Sequence, residues 1–406
     1  MNDSALIPDE ALPLGFRFAA VKAGIKPSGN ADFAVAVADA ATSAAAMFTS
    51  NRVVAAPVIV DRRHLDRSAG HMRVVAVNAG NANCATGQIG IDACEQVCAA
   101  AAKTFECEGH EIFPSSTGII GVLLPAEKLI AAMPEIAAKL GAAAENFAQF
   151  ARAIMTTDTR PKTAYASLSV NGKAVRIAGV CKGAGMIHPQ LVPHATMLVY
   201  LFMDAAIEPA DLDVLLRQSI EVSFNRISID GDTSTNDTVL LLASGASGIR
   251  IESDNAEFVA ALTKVCTSLA KQIVADGEGV THVVELQIEG AASDRDALKV
   301  AKAIAHSPLV KTAWAGCDPN WGRLMAAAGY SGAEIDPERI SIWFGEQEIC
   351  RSGGRVQDLD EAAAHEYLKL PEFTVRMDLG IGDGHCQFWT TDLTAEYVRI
   401  NADYST

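Results

Sequence analysis

"CKGAGMIHPQLVPHATMLVY", residues 181–200, joins two kinds of chain end to end. A glycine-rich turn passes through His188, Pro189, Pro193 and His194, then enters the apolar run Met197-Leu198-Val199-Tyr200. That run reads as a buried strand over 196–203. Thr196 stands at the junction, with the small Ala195 before it. Two readings are open. Thr196 is a β-branched residue that opens a strand, or it is a nucleophile. A threonine hydroxyl attacks only when a base takes its proton. One economical base is the residue's own α-amino group, whose ordinary pKa is about 7.7–8.0. That requires the bond between Ala195 and Thr196 to be cut. An N→O acyl shift would cut it, and a small Ala195 lets the hydroxyl reach the preceding carbonyl. The loop would present the bond, and the strand would hold the new terminus.

Outward from this junction, Ala-rich helical stretches alternate with short β-type runs. Residues 126–154 read as helix, broken near Pro134 and Gly141. In 254–273, Phe258, Leu262, Val265, Leu269 and Ile273 form one apolar helical stripe, the pattern of a core-facing helix. Residues 295–306 read as another helix. Strands are expected at 72–78, at 166–181 around the Asn171-Gly172 turn, at 238–243 and at 281–288. After residue 335 two hairpins are expected, 339–350 and 373–391, the second turning through "GIGDG" at 380–384. The expectation is an α/β protein of layered helices and sheets, with a smaller C-terminal lobe from about residue 285.

Composition narrows the partners. The 406 residues are half hydrophobic and one-fifth charged, with a net charge of −16. No basic field would offset phosphate repulsion, so neither nucleic acid nor an anionic membrane surface is expected as partner. No apolar run approaches the roughly 20 residues that span a bilayer. The start, "MNDSALIPDEALPLG", has neither a basic n-region nor an Arg-rich amphipathic stretch, so no export or import signal is expected. Nine cysteines, an odd number spread thinly, point to reduced thiols and a cytoplasmic setting. Cys94 and Cys98 lie four apart on a helical stretch with no histidine or further cysteine close in sequence. A buried structural role is expected for them, and no metal.

Several small-polar clusters exceed what a plain core needs. "STGIIG", Ser116 to Gly121, offers N–H groups around a glycine turn and a hydroxyl, the parts of an oxyanion hole. "MTTDTRPK", Met155 to Lys162, ends a helix. "SIDGDTSTNDT", Ser228 to Thr238, has carboxylates and hydroxyls but lacks the ligand spacing and final Glu of a calcium loop. "ADGEGVTH", Ala275 to His282, sets Glu278 between two glycines. "GCDPNWGR" spans Gly316 to Arg323, and the chain ends "VRINADYST".

Together these clusters carry a resemblance. The ordered set "MFTSNRVVAAPV", "VVAVNAGNANCATG", "PSSTGIIG", "IMTTDTRPK", "KGAGMI", "ATML", "SFNRISIDGDTSTNDT", "IVADGEG", "HSPLVKTA", "CDPNWGR" and "DLTAEYVRINADYST" resembles the ornithine acetyltransferase (glutamate N-acetyltransferase) family of arginine biosynthesis, nearly end to end. The resemblance implies a layered α-β-β-α sandwich of the DmpA/ornithine acetyltransferase kind. It implies self-cleavage at Ala195–Thr196 into an alpha chain, 1–195, and a beta chain, 196–406, associating as two of each. It implies transfer of acetyl from N-acetylornithine to glutamate through Thr196, with acetyl-CoA as a further donor in some members and no cofactor. Carried over residue by residue, Thr196 is the nucleophile, and Thr117 and Gly118 form the oxyanion hole. Thr156, Lys182, Glu278, Asn401 and Thr406 contact substrate. Lys182 suits an amino-acid carboxylate, and Glu278 suits an ornithine ammonium or a proton transfer near the amine. The sequence departs from the family pattern at Pro189–His194, just before the cut. An aminopeptidase or amidase with a related N-terminal nucleophile, in which water attacks the acyl-enzyme, and an uncut binding protein are the competing readings. Lys182, Glu278 and the tail favour amino-acid recognition.

Overall fold

The structure is a computed structural model that describes residues 7–170, 172–189 and 197–403. The chain divides into two compact units. One holds most of the chain up to Ile273; the other holds Arg226–Gly231 and the chain from Val274 onward.

The first unit is built on strands β1 (Phe16–Val21), β2 (Phe33–Phe48), β3 (His71–Asn81), β4 (Ile112–Ile119), β5 (Lys162–Val170), β6 (Lys173–Lys182), β7 (Leu198–Met203) and β8 (Thr238–Ala243). Its helices are α1 (Ala56–Arg67), α2 (Gly87–Phe105), α3 (Ala126–Ala138), α4 (Ala144–Ala153), α5 (Pro209–Glu221) and α6 (Ala256–Val274). The sheet runs β4-β3-β2-β8-β7-β6-β5, with β1 on β2. Strand β2 makes the layering possible. Its first half pairs with β1 and β3, its second half pairs with β8, and the register slips between Val37 and Thr42. The sheet therefore folds over on itself.

Alternation along the strands then assigns the faces. Val35 and Val37 of β2 and Val74 and Ala76 of β3 pack against Val97 and Ala101 of α2 and Leu129 and Met133 of α3. Ala34, Ala36, Val75 and Val77 face the opposite way, into a core shared with Tyr200 and Phe202 of β7 and Leu240 and Leu242 of β8. Phe16 and Phe18 meet Phe202 edge-on, with ring centroids 5.1 and 5.0 Å apart. On the far face, Gly179 of β6 leaves room for Leu201, and for Leu269 and Val265 of α6. Helix, sheet, sheet, helix is the order of layers.

The second unit contains β9 (Val283–Ala291), β10 (Ser341–Phe344), β11 (Gln347–Arg351), β12 (Gly354–Arg355), β13 (Glu372–Asp378) and β14 (Gly384–Thr391). Its helices are α7 (Asp294–Ala305), α8 (Pro308–Ala315), α9 (Trp321–Gly329), α10 (Glu361–Leu368) and α11 (Ala395–Asp403). Its sheet runs β12-β11-β10-β13-β9-β14.

Two local expectations change. Pro134 does not break its helix. It lies inside α3 on an exposed face with Ile130, so the carbonyl it frees faces water; the break falls between α3 and α4. The 373–391 segment is not a hairpin, because β9 lies between β13 and β14. The connection crosses the end of β9, where the N–H groups of Ile381 and Gly382 both donate to the Gly290 carbonyl, at 2.7 and 2.9 Å. By contrast β5 and β6 do form a hairpin, from Val170↔Lys173 inward, although Asn171 lies outside the described residues. β10 and β11 also pair as one.

Candidate active site

Thr117 and Gly118 lie near the end of β4, which runs parallel to β3. Here Asn81 pairs with both Thr117 and Ile119, and the ladder bulges. Gly118 has φ +132°, and a Cβ on it would lie 2.3 Å from the carbonyl carbon of Gly80. Only glycine fits so close to a neighbouring backbone. Side-chain amides hold the bulge. Asn78 donates to the Asn81 carbonyl at 2.8 Å and accepts the Ser116 hydroxyl at 2.6 Å. Asn236 reaches in from far along the sequence and donates to the carbonyls of Ala82 and Ser116, at 2.6 and 2.8 Å. The peptide that precedes Thr117, and the Asn81 and Ala82 carbonyls across the bulge, are thus held by buried amides.

Thr156 follows α4. Its N–H donates to Asp158 Oδ2 at 3.0 Å. Asp158 Oδ1 accepts from Lys162 Nζ at 2.5 Å and from the Gly183 N–H at 2.7 Å. Both members of the Asp158–Lys162 pair are fully buried. Burial alone would raise the Asp158 carboxyl, but the charges of Lys182 and Lys162 and the Gly183 N–H outweigh it and hold the carboxyl far below its ordinary range. Lys182 ends β6 and is only 9% exposed. It is paired in the ladder with Leu198, the first residue of β7, so the sheet sets the lysine beside the strand that follows "AT". The turn after it is held down as well: Ile187 bridges Thr233, whose hydroxyl donates to the His188 carbonyl at 3.0 Å. Ala195, Thr196 and the stretch from Gln190 to His194 lie outside the described residues.

In the second unit, Glu278 occupies the turn between α6 and β9 and is 9% exposed. The Asn401 amide, on α11, donates to Glu278 Oε2 at 2.9 Å and to the Tyr397 carbonyl at 3.1 Å. The structure thus brings together two residues more than a hundred positions apart. Thr406 lies outside the described residues. Among the described residues no group of three or more His, Cys, Asp or Glu side chains is arranged to hold a metal. No described helix is long and apolar enough to cross a membrane.

Comparison with known proteins places the chain. The sequence profile of the ArgJ family matches residues 17–406. The chain belongs to the ArgJ family. The arginine biosynthesis bifunctional protein ArgJ of Geobacter sulfurreducens is 44% identical over 396 residues, 97% of this chain and 99% of the relative. The protein of the same name from Rhodopirellula baltica is 43% identical, over 97% and 96% of the two chains. Among solved structures, arginine biosynthesis bifunctional protein argJ from Bacillus halodurans is 43% identical. It covers 52% of this chain and 100% of its own, with a TM-score of 0.49. Ornithine acetyltransferase from Mycobacterium tuberculosis, complexed with ornithine, is 33% identical over 44% and 93%, with a TM-score of 0.39.

Within this ArgJ-family chain the structure adds residues that the motifs alone did not single out. Asp237, between Asn236 and β8, is fully buried, and its Oδ2 has no hydrogen-bond partner among the described residues. Burial pushes its carboxyl well above the ordinary range, against the Ser234 hydroxyl, the Met197 N–H, the Lys182 charge and the Thr49 hydroxyl. Met197 is the residue after Thr196, so Asp237 fastens the chain next to the threonine. Asp158, Lys162, Asn78 and Asn236 act in the same manner, on backbone and on one another. Asn78 and Asn236 donate their amide N–H groups to backbone carbonyls, which leave no pattern in the sequence.

Proposed function

We propose that this chain is an ArgJ-type acetyltransferase of arginine biosynthesis that moves acetyl from N-acetylornithine to glutamate through Thr196. The coarse part of the reading, an arginine-biosynthesis acetyltransferase, rests on the match over residues 17–406 and on relatives named for that pathway. The finer part is chemical. The chain cuts itself between Ala195 and Thr196. The freed amine takes the Thr196 hydroxyl proton, and the hydroxyl attacks the acetyl carbonyl. The Thr117 hydroxyl and the backbone N–H of Gly118 receive the oxyanion. Ornithine leaves with the proton, and the amine of glutamate then attacks the acetyl-threonine. Lys182 binds the substrate carboxylate, and Glu278 with Asn401 binds the ornithine ammonium. Thr156 and Thr406 complete the contacts, and acetyl-CoA is a second donor. The two chains assemble as two of each in the cytoplasm.

The observation that carries this reading is the ladder between β6 and β7. It sets a buried lysine beside the strand that follows Thr196. A desolvated cation there suits a carboxylate-bearing substrate. The same ladder supports association of the cut chains, because β6 and β7 pair from Ile177↔Met203 to Lys182↔Leu198. The test is to incubate the purified protein with N-acetylornithine and glutamate and follow ornithine and N-acetylglutamate together. Both should rise in step, and sustained ornithine release should need glutamate. A denaturing gel should show chains 1–195 and 196–406, and Thr196→Ala should remain one chain. A fully active protein that stays uncut would refute the mechanism.

A further inference from the structure

We propose that Lys311 is a positioning residue that sets the Glu278–Asn401 pair for substrate, acting from inside the second unit. The proposal rests on the reading that Glu278 receives the side-chain ammonium of N-acetylornithine.

Lys311, in "HSPLVKTA", lies on α8 and is only 3% exposed. Its ammonium donates to the Thr391 carbonyl, to Thr391 Oγ1 at 3.1 Å and to Thr390 Oγ1 at 3.3 Å. These acceptors end β14, immediately before Asp392. Asp392 accepts the Thr281 N–H at 3.0 Å, the His282 N–H at 3.2 Å and the Thr281 hydroxyl. Thr281 and His282 close the turn that holds Glu278. The chain past Asp392 then clasps the same turn from its other side. The Leu393 N–H donates to the Lys311 carbonyl at 3.2 Å, and the Thr394 hydroxyl donates to the Gly279 carbonyl at 2.7 Å. A Cβ on Gly279, which has φ +67°, would lie 2.5 Å from the Tyr397 nitrogen, so α11 rests directly on the turn. The Tyr397 hydroxyl donates to Asp230 Oδ2 at 3.3 Å, and Asn401, one turn further along α11, reaches Glu278.

Lys311 is thus tied directly to the strand end that carries Asp392. Asp392 grips the end of the Glu278 turn, Asp230 grips α11, and both carboxylates attract the Lys311 charge. The arrangement joins three motifs that the proposed chemistry left unused: "SIDGD", "HSPLVKTA" and "DLTAEYV". A strut needed only for folding would be served as well by an apolar side chain, since a buried ammonium is costly to desolvate. The Lys311 nitrogen ties α8 to the end of β14 by hydrogen bonds that an apolar side chain cannot make, and so fixes where Asp392 and the turn it holds stand.

The test uses the processed protein and two donors, N-acetylornithine and N-acetylnorvaline, which has the same chain without the terminal ammonium. The wild type should favour N-acetylornithine in kcat/KM on the order of a hundredfold, the loss expected when a buried carboxylate goes unpaired. Lys311→Met should lower that ratio about tenfold or more while N-acetylnorvaline turnover changes less than about threefold, within the spread of context-dependent effects. An unchanged ratio, or equal losses on both donors, would overturn the proposal, the latter marking a structural role only. Glu278→Gln separates the two levels. If it leaves the ratio intact, the Glu278 reading fails and takes this proposal with it. If it collapses the ratio and Lys311→Met does not, the proposal alone is wrong. Should Lys311→Met fail to fold, Thr394→Val removes the clasp on Gly279 together with the bond from the Tyr397 N–H, and leaves Lys311 in place. It should lower the ratio in the same direction, and an unchanged ratio there would equally overturn the linkage.

Discussion

At Gly118 the absence of a side chain is the functional feature. Gly118→Ala would drive a Cβ to 2.3 Å from the Gly80 carbonyl carbon and 2.5 Å from the Asn81 nitrogen, with φ at +132°. Both obstacles are backbone, so neither can rotate away. The expected loss is about 2–4 kcal/mol of stability, read from a urea midpoint. Thr117→Ala removes no packing of that kind. It removes one donor from a developing negative charge, so turnover should fall roughly a hundredfold with little change in KM. A pure KM effect would move Thr117 into the binding set. The Thr196 amine must be neutral to act as base. Activity should therefore rise with pH through an apparent pKa near about 8, moved by the charges around it. The Asp158–Lys162 pair has the opposite sensitivity. A carboxyl held below its ordinary value stabilises the fold above the unfolded pKa of about 3.9, and that contribution is lost as pH falls toward the lower folded value.

Between elements, the bulge of β3 and β4 depends on amides that come from far away in sequence. Asn236→Ala would leave the carbonyls of Ala82 and Ser116 without their donor in a buried setting. About 1–3 kcal/mol of destabilisation is expected, together with lower turnover, because Ser116 precedes Thr117. Stability is read in a thermal melt and turnover in the coupled assay; full activity would show that the bulge holds without it. The contrast with what the sequence disclosed is physical. The "STGIIG" and "ADGEG" segments were legible because hydroxyls, acids and glycines clustered locally. The cluster that holds Asn236 stands out in the same way, but not what Asn236 does there, because its partners are backbone carbonyls, which look alike at every position. Strand β2 runs against alanine's preference for helix, because its small residues let the second sheet layer approach one face while α2 and α3 cover the other. The 373–391 segment departs from a hairpin because β9, from some eighty residues upstream, supplies the strand between its two halves. Where pairing was local, as in β5 with β6 and β10 with β11, pattern and structure agree.

Across the molecule the two units respond to pH at opposite ends. The first unit's buried Asp158 makes it sensitive to acid. The second unit's Lys311 is pushed down to about 7 by burial, against the pull of Asp392 and Asp230. His306 lies in the same field, pushed down to about 4 by burial, with the charges of Lys302 and Lys311 adding to the effect, so it stays neutral across the range that matters here. Below pH 7 the Lys311 side chain is charged in folded and unfolded chains alike. Between pH 7 and about 10.4 the unfolded chain holds a proton that the folded chain has released. The stability of the second unit therefore rises with pH across that window, with a slope approaching about 1.4 kcal/mol per pH unit. All four tryptophans, Trp314, Trp321, Trp343 and Trp389, belong to this unit, so their fluorescence reports its unfolding selectively. Tryptophan-detected urea unfolding at pH 7, 8 and 9 should show a rising midpoint in the wild type. In Lys311→Met the rise should vanish, because the group that exchanges the proton is gone. If the two proteins follow parallel curves from pH 7 to 9, the pH dependence belongs to another group, and the Lys311 ammonium is not held near neutrality by its burial.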